Sequence, residues 1–258
     1  MSNRIQQLFL KKKQNILSVY FTAGYPQLHD TVSIIKELDK AGVDMIEIGF
    51  PFSDPLADGP VIQKSSMQAI DNGMNLRLLS TELKDIRSIT QMPIILMGYL
   101  NPVLQYGELA FIERCREFGI DGIIIPDMPV SYYQAVWKEK CKANSLSNIL
   151  LITPETKENR VLEIDQQSDA FIYMVSSNSV TGSNKTINQQ TDNYFKRISN
   201  LQINHPTLIG FGIHDKSSFV NTCTYSSGAI IGSAFIKHIS TEGISTTSIQ
   251  QFVNSIRP

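Results

Sequence analysis

The sequence predicts an α/β fold, a closed (β/α)8 or TIM barrel, on three observations. Short β-rich apolar runs alternate with longer helical patterns. Eight such runs occur, at 17–21, 43–48, 93–97, 120–125, 148–152, 170–175, 207–211 and 229–232. The chain has 258 residues, the size that eight βα units need. Continuous apolar runs bounded by turn residues suit strands buried on both faces of a parallel sheet. An open doubly wound sheet is the runner-up, disfavoured because eight units of regular rhythm close more naturally than they stay open.

Each element follows in order. Ile5, Leu8 and Phe9 stand at helical spacing before three lysines, so residues 1–13 predict a short amphipathic helix. The first two strands, at 17–21 and 43–48, flank a helix expected over 31–41. Residues 49–92 exceed one βα unit and predict an elaborated loop, 50–59, followed by two extra helical segments. One starts at Pro60, which suits a first helical turn, and the other spans about 76–89. Further helices are expected at 108–118, 132–143 and 217–222, with another starting near Ser233. Asp121 and Gly122 interrupt the fourth run. Residues 176–191 are rich in Ser, Asn, Thr and Gly and predict a mobile lid. No linker or low-complexity tract divides the chain, so residues 1–258 read as one barrel domain.

Composition excludes several function classes. Lys and Arg total 23 against 24 Asp and Glu, which argues against a nucleic-acid binder acting through bulk charge. Cys115, Cys141 and Cys223 are scattered and odd in number, so neither a disulfide framework nor a metal site is supported, and a cytoplasmic setting is expected. No apolar run reaches the roughly 18 residues of a membrane span.

Two carboxylates stand out. Glu47 lies near the carboxyl end of the second strand, where barrels assemble their chemistry. Among Ile46, Ile48, Phe50 and Phe52 its pKa should rise, which suits a group that both gives and takes a proton. A core carboxylate held by a lysine or a hydroxyl is the plainer alternative. Asp58 closes a loop stiffened by Pro51, Pro55 and Pro60, which could fold both carboxylates into one pocket. Asp54 and Asp58 would equally serve as turn or cap residues.

Phosphate recognition is predicted by glycines at late strand ends, namely Gly182, Gly210, Gly212 and Gly232 with Ser233. They allow close approach of backbone to an anion, and a helix starting near Ser233 would aim N–H groups at it. Tyr20, Phe21, Tyr99 and Tyr173 sit at strand ends, where aromatic side chains are commonly core filler. A buried Tyr hydroxyl needs a partner, and Tyr173 is paired here with Glu47. His29, His205, His214 and His238 are dispersed, and His214 with Asp215 reads as a helix start rather than a dyad.

Taken together, Glu47, residues 50–63 (FPFSDPLADGPVIQ), 22–26 (TAGYP), 98–102 (GYLNP), 126–129 (PDMP), 180–182 (VTG), 210–212 (GFG) and 232–233 (GS) resemble the tryptophan synthase alpha subunit family. The resemblance spans essentially the whole chain. It implies a TIM barrel that cleaves indole-3-glycerol phosphate to indole and glyceraldehyde 3-phosphate. It further implies that Glu47 transfers protons, Asp58 engages the indole nitrogen and Tyr173 orients the glutamate. Gly182, Gly212, Gly232 and Ser233 would cradle the phosphate. Phe21, Tyr99, Leu100 and 124–126 would lie beside the indole, and Thr181 would meet Asp58 on lid closure. No cofactor is implied in this chain. The implied partner is a beta subunit carrying pyridoxal phosphate, in a two-plus-two assembly reached through loops 50–58 and 127–131, with 101–105 nearby. The family's lid commonly has Arg and Gly where this chain has Ser177 and Ser179, which bears on lid closure and its coupling to the partner. A stand-alone lyase and a catalytically weak activator of the partner are the competing readings, and intact Glu47 and Asp58 weigh against the second.

Overall fold

The computed structural model describes residues 3–55, 58–176, 189–210 and 212–257. Helix α1 (Arg4–Lys11) starts at Asn3, whose side chain forms a capping box with Gln6. It buries Ile5 and Phe9, and Phe9 meets Phe171 at 5.7 Å. Asn3 Nδ2 also donates to the carbonyl of Asp121 and to Ser147 Oγ, both at 2.8 Å. These contacts seat α1 across the amino-terminal end of the barrel.

The first half of the chain then runs β1 (Ile16–Thr22), α2 (Thr31–Lys40), β2 (Met45–Gly49), α3 (Pro60–Asp71), α4 (Leu76–Glu82), β3 (Ile94–Met97), α5 (Leu100–Tyr106) and α6 (Glu108–Phe118). Next come β4 (Gly122–Ile124), α7 (Val130–Tyr132), a π-helical turn (Tyr133–Trp137), α8 (Lys138–Ala143), β5 (Ser147–Asn148) and β6 (Leu150–Ile152). The second half adds α9 (Glu158–Gln167), β7 (Ile172–Val175), α10 (Gln189–Ser199), β8 (Thr207–Gly210), α11 (Lys216–Cys223), β9 (Gly228–Ile231), α12 (Ser233–Glu242) and α13 (Thr246–Ile256). No helix among the described residues is long and apolar enough to cross a membrane.

All strand pairs are parallel, in the order β5-β4-β3-β2-β1-β9-β8-β7-β6. The two ends of that order belong to one short segment. Its first half pairs with β4 and its second with β7, while the Ile149 amide still donates to the Ile123 carbonyl. The expected fifth strand is therefore handed from one neighbour to the other, and the barrel closes through it. Every residue of β1 and β2 is buried, as strands covered by helices outside and by side chains inside require.

The helical expectations need two adjustments. The segment predicted over 76–89 breaks after Glu82 and resumes as a 3-10 turn at Ile86–Ser88. There Arg87 turns inward to the Gly119 carbonyl and to Asp121. The helix predicted over 132–143 begins at Val130 and contains the π turn, where Trp137 Nε1 and Tyr132 Oη both donate to Glu108. Asp215 caps α11 through a capping box with Ser218, as expected of a helix start. The lid predicted over 176–191 falls largely on 177–188, outside the described residues.

Candidate active site

Strand register decides which side chains face the barrel interior. β1 pairs with β2 so that Tyr20 stands opposite Glu47, and alternation puts Ser18, Tyr20 and Thr22 on one face. Ser18 Oγ donates to Glu47 Oε1 at 2.8 Å, so that face is the interior one. Glu47 is completely buried, and its Oε2 has no hydrogen-bond partner. Burial pushes its carboxyl up to about 8, with the Ser18 hydrogen bond opposing the rise.

Two sequence expectations change here. The hydroxyl holding Glu47 belongs to Ser18, not to Tyr173. Tyr173 is buried with its ring over Gly210, where a Cβ would collide with the phenol, and no hydrogen bond joins it to Glu47. Its hydroxyl is held protonated first by burial and then by the charges of Glu47 and Asp58. Phe21 has no exposure and, by alternation, faces the helices rather than the interior. Tyr20 takes the place beside the site that Phe21 was expected to take. Its phenol packs over Gly49 in the same way that Tyr173 packs over Gly210.

The loop after β2 delivers the second carboxylate. Pro60 occupies the first turn of α3, the Asp58 amide donates to the Pro55 carbonyl at 3.0 Å, and Gln63 Nε2 donates to the Asp58 carbonyl at 2.8 Å. Ser66 holds Phe52 through both backbone groups, and Phe52 packs against Tyr99 at 5.2 Å. Tyr99 Oη donates to Asp58 Oδ2 at 3.2 Å. The aspartate is half-buried rather than fully in solvent, and burial lifts its carboxyl to about 6 against the pull of Tyr99.

A cleft open to solvent is lined by Tyr20, Phe50, Phe52, Asp58, Tyr99 and Pro126, among others. Glu47 does not line it. The charges of both carboxylates help to hold the Tyr20 and Tyr173 hydroxyls protonated. Aromatic walls, a carboxylate at the rim and a neutral buried acid suit a flat heteroaromatic ligand that gains positive charge.

The predicted anion cradle is described at Gly212, Gly232 and Ser233. Gly212 adopts φ +79°, and a Cβ there would meet none of the described residues. Gly232 caps the ten-residue helix α12, whose first residue is Ser233 and whose amino end has no side-chain cap. Its free N–H groups and the helix dipole favour an anion. The Gly232 backbone lies against the Tyr20 ring, which links this end to the cleft. Thr181 and Gly182, with Ser177 and Ser179, lie outside the described residues. Among the described residues no group of three or more His, Cys, Asp or Glu side chains could hold a metal ion.

Known proteins resemble this chain over nearly its full length. The chain is 54% identical to the tryptophan synthase alpha chain of Flavobacterium psychrophilum, over 98% of this chain and 99% of that one. It is 49% identical to that of Parabacteroides distasonis, over 99% of each. Among solved structures, Mycobacterium tuberculosis tryptophan synthase superposes with a TM-score of 0.87 at 27% identity, covering 99% of this chain and 97% of that one. The tryptophan synthase A-subunit of Pyrococcus furiosus gives 0.86 at 30% identity, covering 95% and 98%. The sequence profile of the family described as tryptophan synthase alpha chain matches residues 6–256, and this chain belongs to that family.

Proposed function

We propose that Glu47 carries the proton and Asp58 the counter-charge in the reaction of this family, cleavage of indole-3-glycerol phosphate to indole and glyceraldehyde 3-phosphate. The chain is an alpha subunit that works with a beta subunit, to which the indole passes. Neutral Glu47 gives its proton to indole C3, and the ring becomes a cation centred on its nitrogen. Asp58, ionised above about pH 6, stabilises that cation. The Glu47 carboxylate then takes the proton of the neighbouring glycerol hydroxyl. As the aldehyde forms, the carbon–carbon bond breaks and its electron pair returns to the ring. Glu47 ends protonated, as it began. Gly212, Gly232 and Ser233 hold the phosphate and so position the reacting carbon, with Gly182 and Thr181 assigned to the same end.

The observation that carries this reading is a fully buried glutamate with one free oxygen and a pKa raised to about 8, on the strand whose following loop puts Asp58 in an aromatic cleft. The alpha chain itself carries no cofactor, and the proposal puts pyridoxal phosphate in the beta subunit, in a two-plus-two assembly. A cytoplasmic setting is proposed, in keeping with three free cysteines.

Single-turnover indole release tests the reading, with and without beta subunit, alongside Glu47→Gln and Asp58→Asn. Both variants should lose about 10²–10⁴-fold in cleavage while still binding substrate. Near-normal cleavage by Glu47→Gln would overturn the assignment. Indole release unchanged by the partner would favour a stand-alone lyase. Release near zero, with partner activation intact, would favour an activator.

A further inference from the structure

We infer that Ser18 is a positioning residue for Glu47, whose hydroxyl holds Oε1 and thereby makes Oε2 the oxygen that gives and takes the proton. The inference rests on the proposed role of Glu47 as proton carrier.

Ser18 interrupts an otherwise apolar stretch of β1, between Leu17 and Val19, and is completely buried. A hydroxyl buried in such a place is costly unless it is hydrogen-bonded. Its partner is Glu47 Oε1 at 2.8 Å, across the β1–β2 ladder. The other carboxyl oxygen, equally buried, has no partner. In the neutral acid the carbonyl oxygen is the better acceptor, so a fixed donor on Oε1 places the proton on Oε2. That oxygen is then the one with no protein group competing for its proton. In the ionised acid the same donor stabilises the carboxylate that remains after the proton has gone to substrate. The Ser18 hydroxyl is spent on Glu47 Oε1, so it acts through Glu47 and not on the ligand.

The titratable groups facing Glu47 are few. Among the described residues they are Tyr20 from β1 and Tyr173 from β7, and β3 contributes apolar Ile95 opposite the glutamate. Burial keeps both tyrosines protonated through the accessible pH range, while Asp58 titrates lower, at about 6. The alkaline limb of cleavage therefore reports Glu47. A donor to the ionised form holds that pKa below the value burial alone would set, so its removal moves the limb upward.

The experiment measures glyceraldehyde 3-phosphate release against pH by the full chain with its beta subunit present. Ser18→Ala should move the alkaline limb up by roughly one pH unit or more, the range expected for losing a hydrogen bond to a charged group. Its kcat should fall roughly three- to tenfold, because a weaker acid transfers its proton more slowly, and KM should be unchanged. Ser18→Thr, which restores the hydroxyl, should return both limb and rate toward wild type. Ser18→Cys keeps the volume with a poor donor and should shift the limb in the same direction as Ser18→Ala. Folded Ala and Cys variants with a wild-type limb would overturn the inference, as would a raised KM with no shift. Glu47→Gln, run in parallel, keeps the two questions apart, since wild-type cleavage in that variant defeats the glutamate's role instead.

Discussion

Tyr99 Oη reaches Asp58 Oδ2 at 3.2 Å, and this hydrogen bond ties the loop after β2 to the start of α5. It favours the ionised aspartate, which burial otherwise pushes up to about 6.

Removing it should therefore raise the Asp58 pKa. The acid limb of cleavage should lie near pH 6 in wild type and move to higher pH in Tyr99→Phe. The shift follows from a hydrogen bond to a charged acceptor and should approach one pH unit. A pH profile of indole release checks it, and an unmoved limb would detach Tyr99 from the control of Asp58.

Glu47 makes a prediction about stability. Its folded pKa of about 8 lies above the value near 4.5 of an unfolded chain, so between those values the native state binds more protons. Stability supplied by the neutral form is complete below about pH 4.5 and is lost as pH rises through about 8. Glu47→Gln lacks this loss. The variant should gain on wild type as pH increases from 5 to 8.5, by on the order of a few kcal/mol at about 1.4 kcal/mol per pKa unit. Urea denaturation of both proteins at several pH values is the measurement, and a constant difference between them would refute the pKa assignment.

The strands were legible because a doubly covered strand must be apolar throughout, and runs such as Ile46 with Ile48 or Ile123 with Ile124 announce that condition locally. Helix α10 was not, since it is largely polar and held by long-range contacts such as Tyr194 Oη to the Ile152 carbonyl. The reading of His214 with Asp215 as a helix start needed only local spacing. Choosing between Tyr20 and Phe21 required strand register, because adjacent aromatics on a strand look alike until a partner strand fixes their faces. Ser18 escaped for the same reason. A lone serine on a buried strand acquires meaning only once Glu47, 29 positions away, is known to lie across the ladder. Asp58 stands out in the sequence because its loop is dense with Pro, Asp and Gly, but its half-buried state depends on Tyr99 and Tyr20 arriving from elsewhere.

Asp121, only 2% exposed, makes the clearest stability prediction away from the site. It accepts from Arg87 at 2.7 Å, from Arg4 at 3.2 Å and from the Ile94 amide at 3.0 Å, joining α1, the 3-10 turn and β3 at the amino-terminal end of the barrel. Asp121→Asn keeps the shape but leaves Arg87 without its counter-ion. Breaking such a pair should cost about 3–5 kcal/mol, read as a lower urea midpoint. Cleavage at permissive temperature should persist, because the proposed site at Glu47 and Asp58 lies toward the opposite end of the strands.

Gly212 separates backbone strain from charge at the proposed phosphate end. Its φ of +79° is one that a side chain adopts at a cost of roughly 1–2 kcal/mol, yet an added Cβ would meet nothing within 4 Å among the described residues. Gly212→Ala therefore carries the strain without a clash, and should lower stability by about that amount with a modest loss of substrate affinity. Gly212→Asp carries the same strain and adds a negative charge where the phosphate is proposed to lie. Its stability should match that of the alanine variant while substrate binding is largely lost. Comparing the two variants, rather than either with wild type, cancels the backbone effect and leaves the electrostatic one. Equal affinities for indole-3-glycerol phosphate in Gly212→Ala and Gly212→Asp would mean that the anion does not approach this turn, and would leave the amino end of α12 to hold it without Gly212.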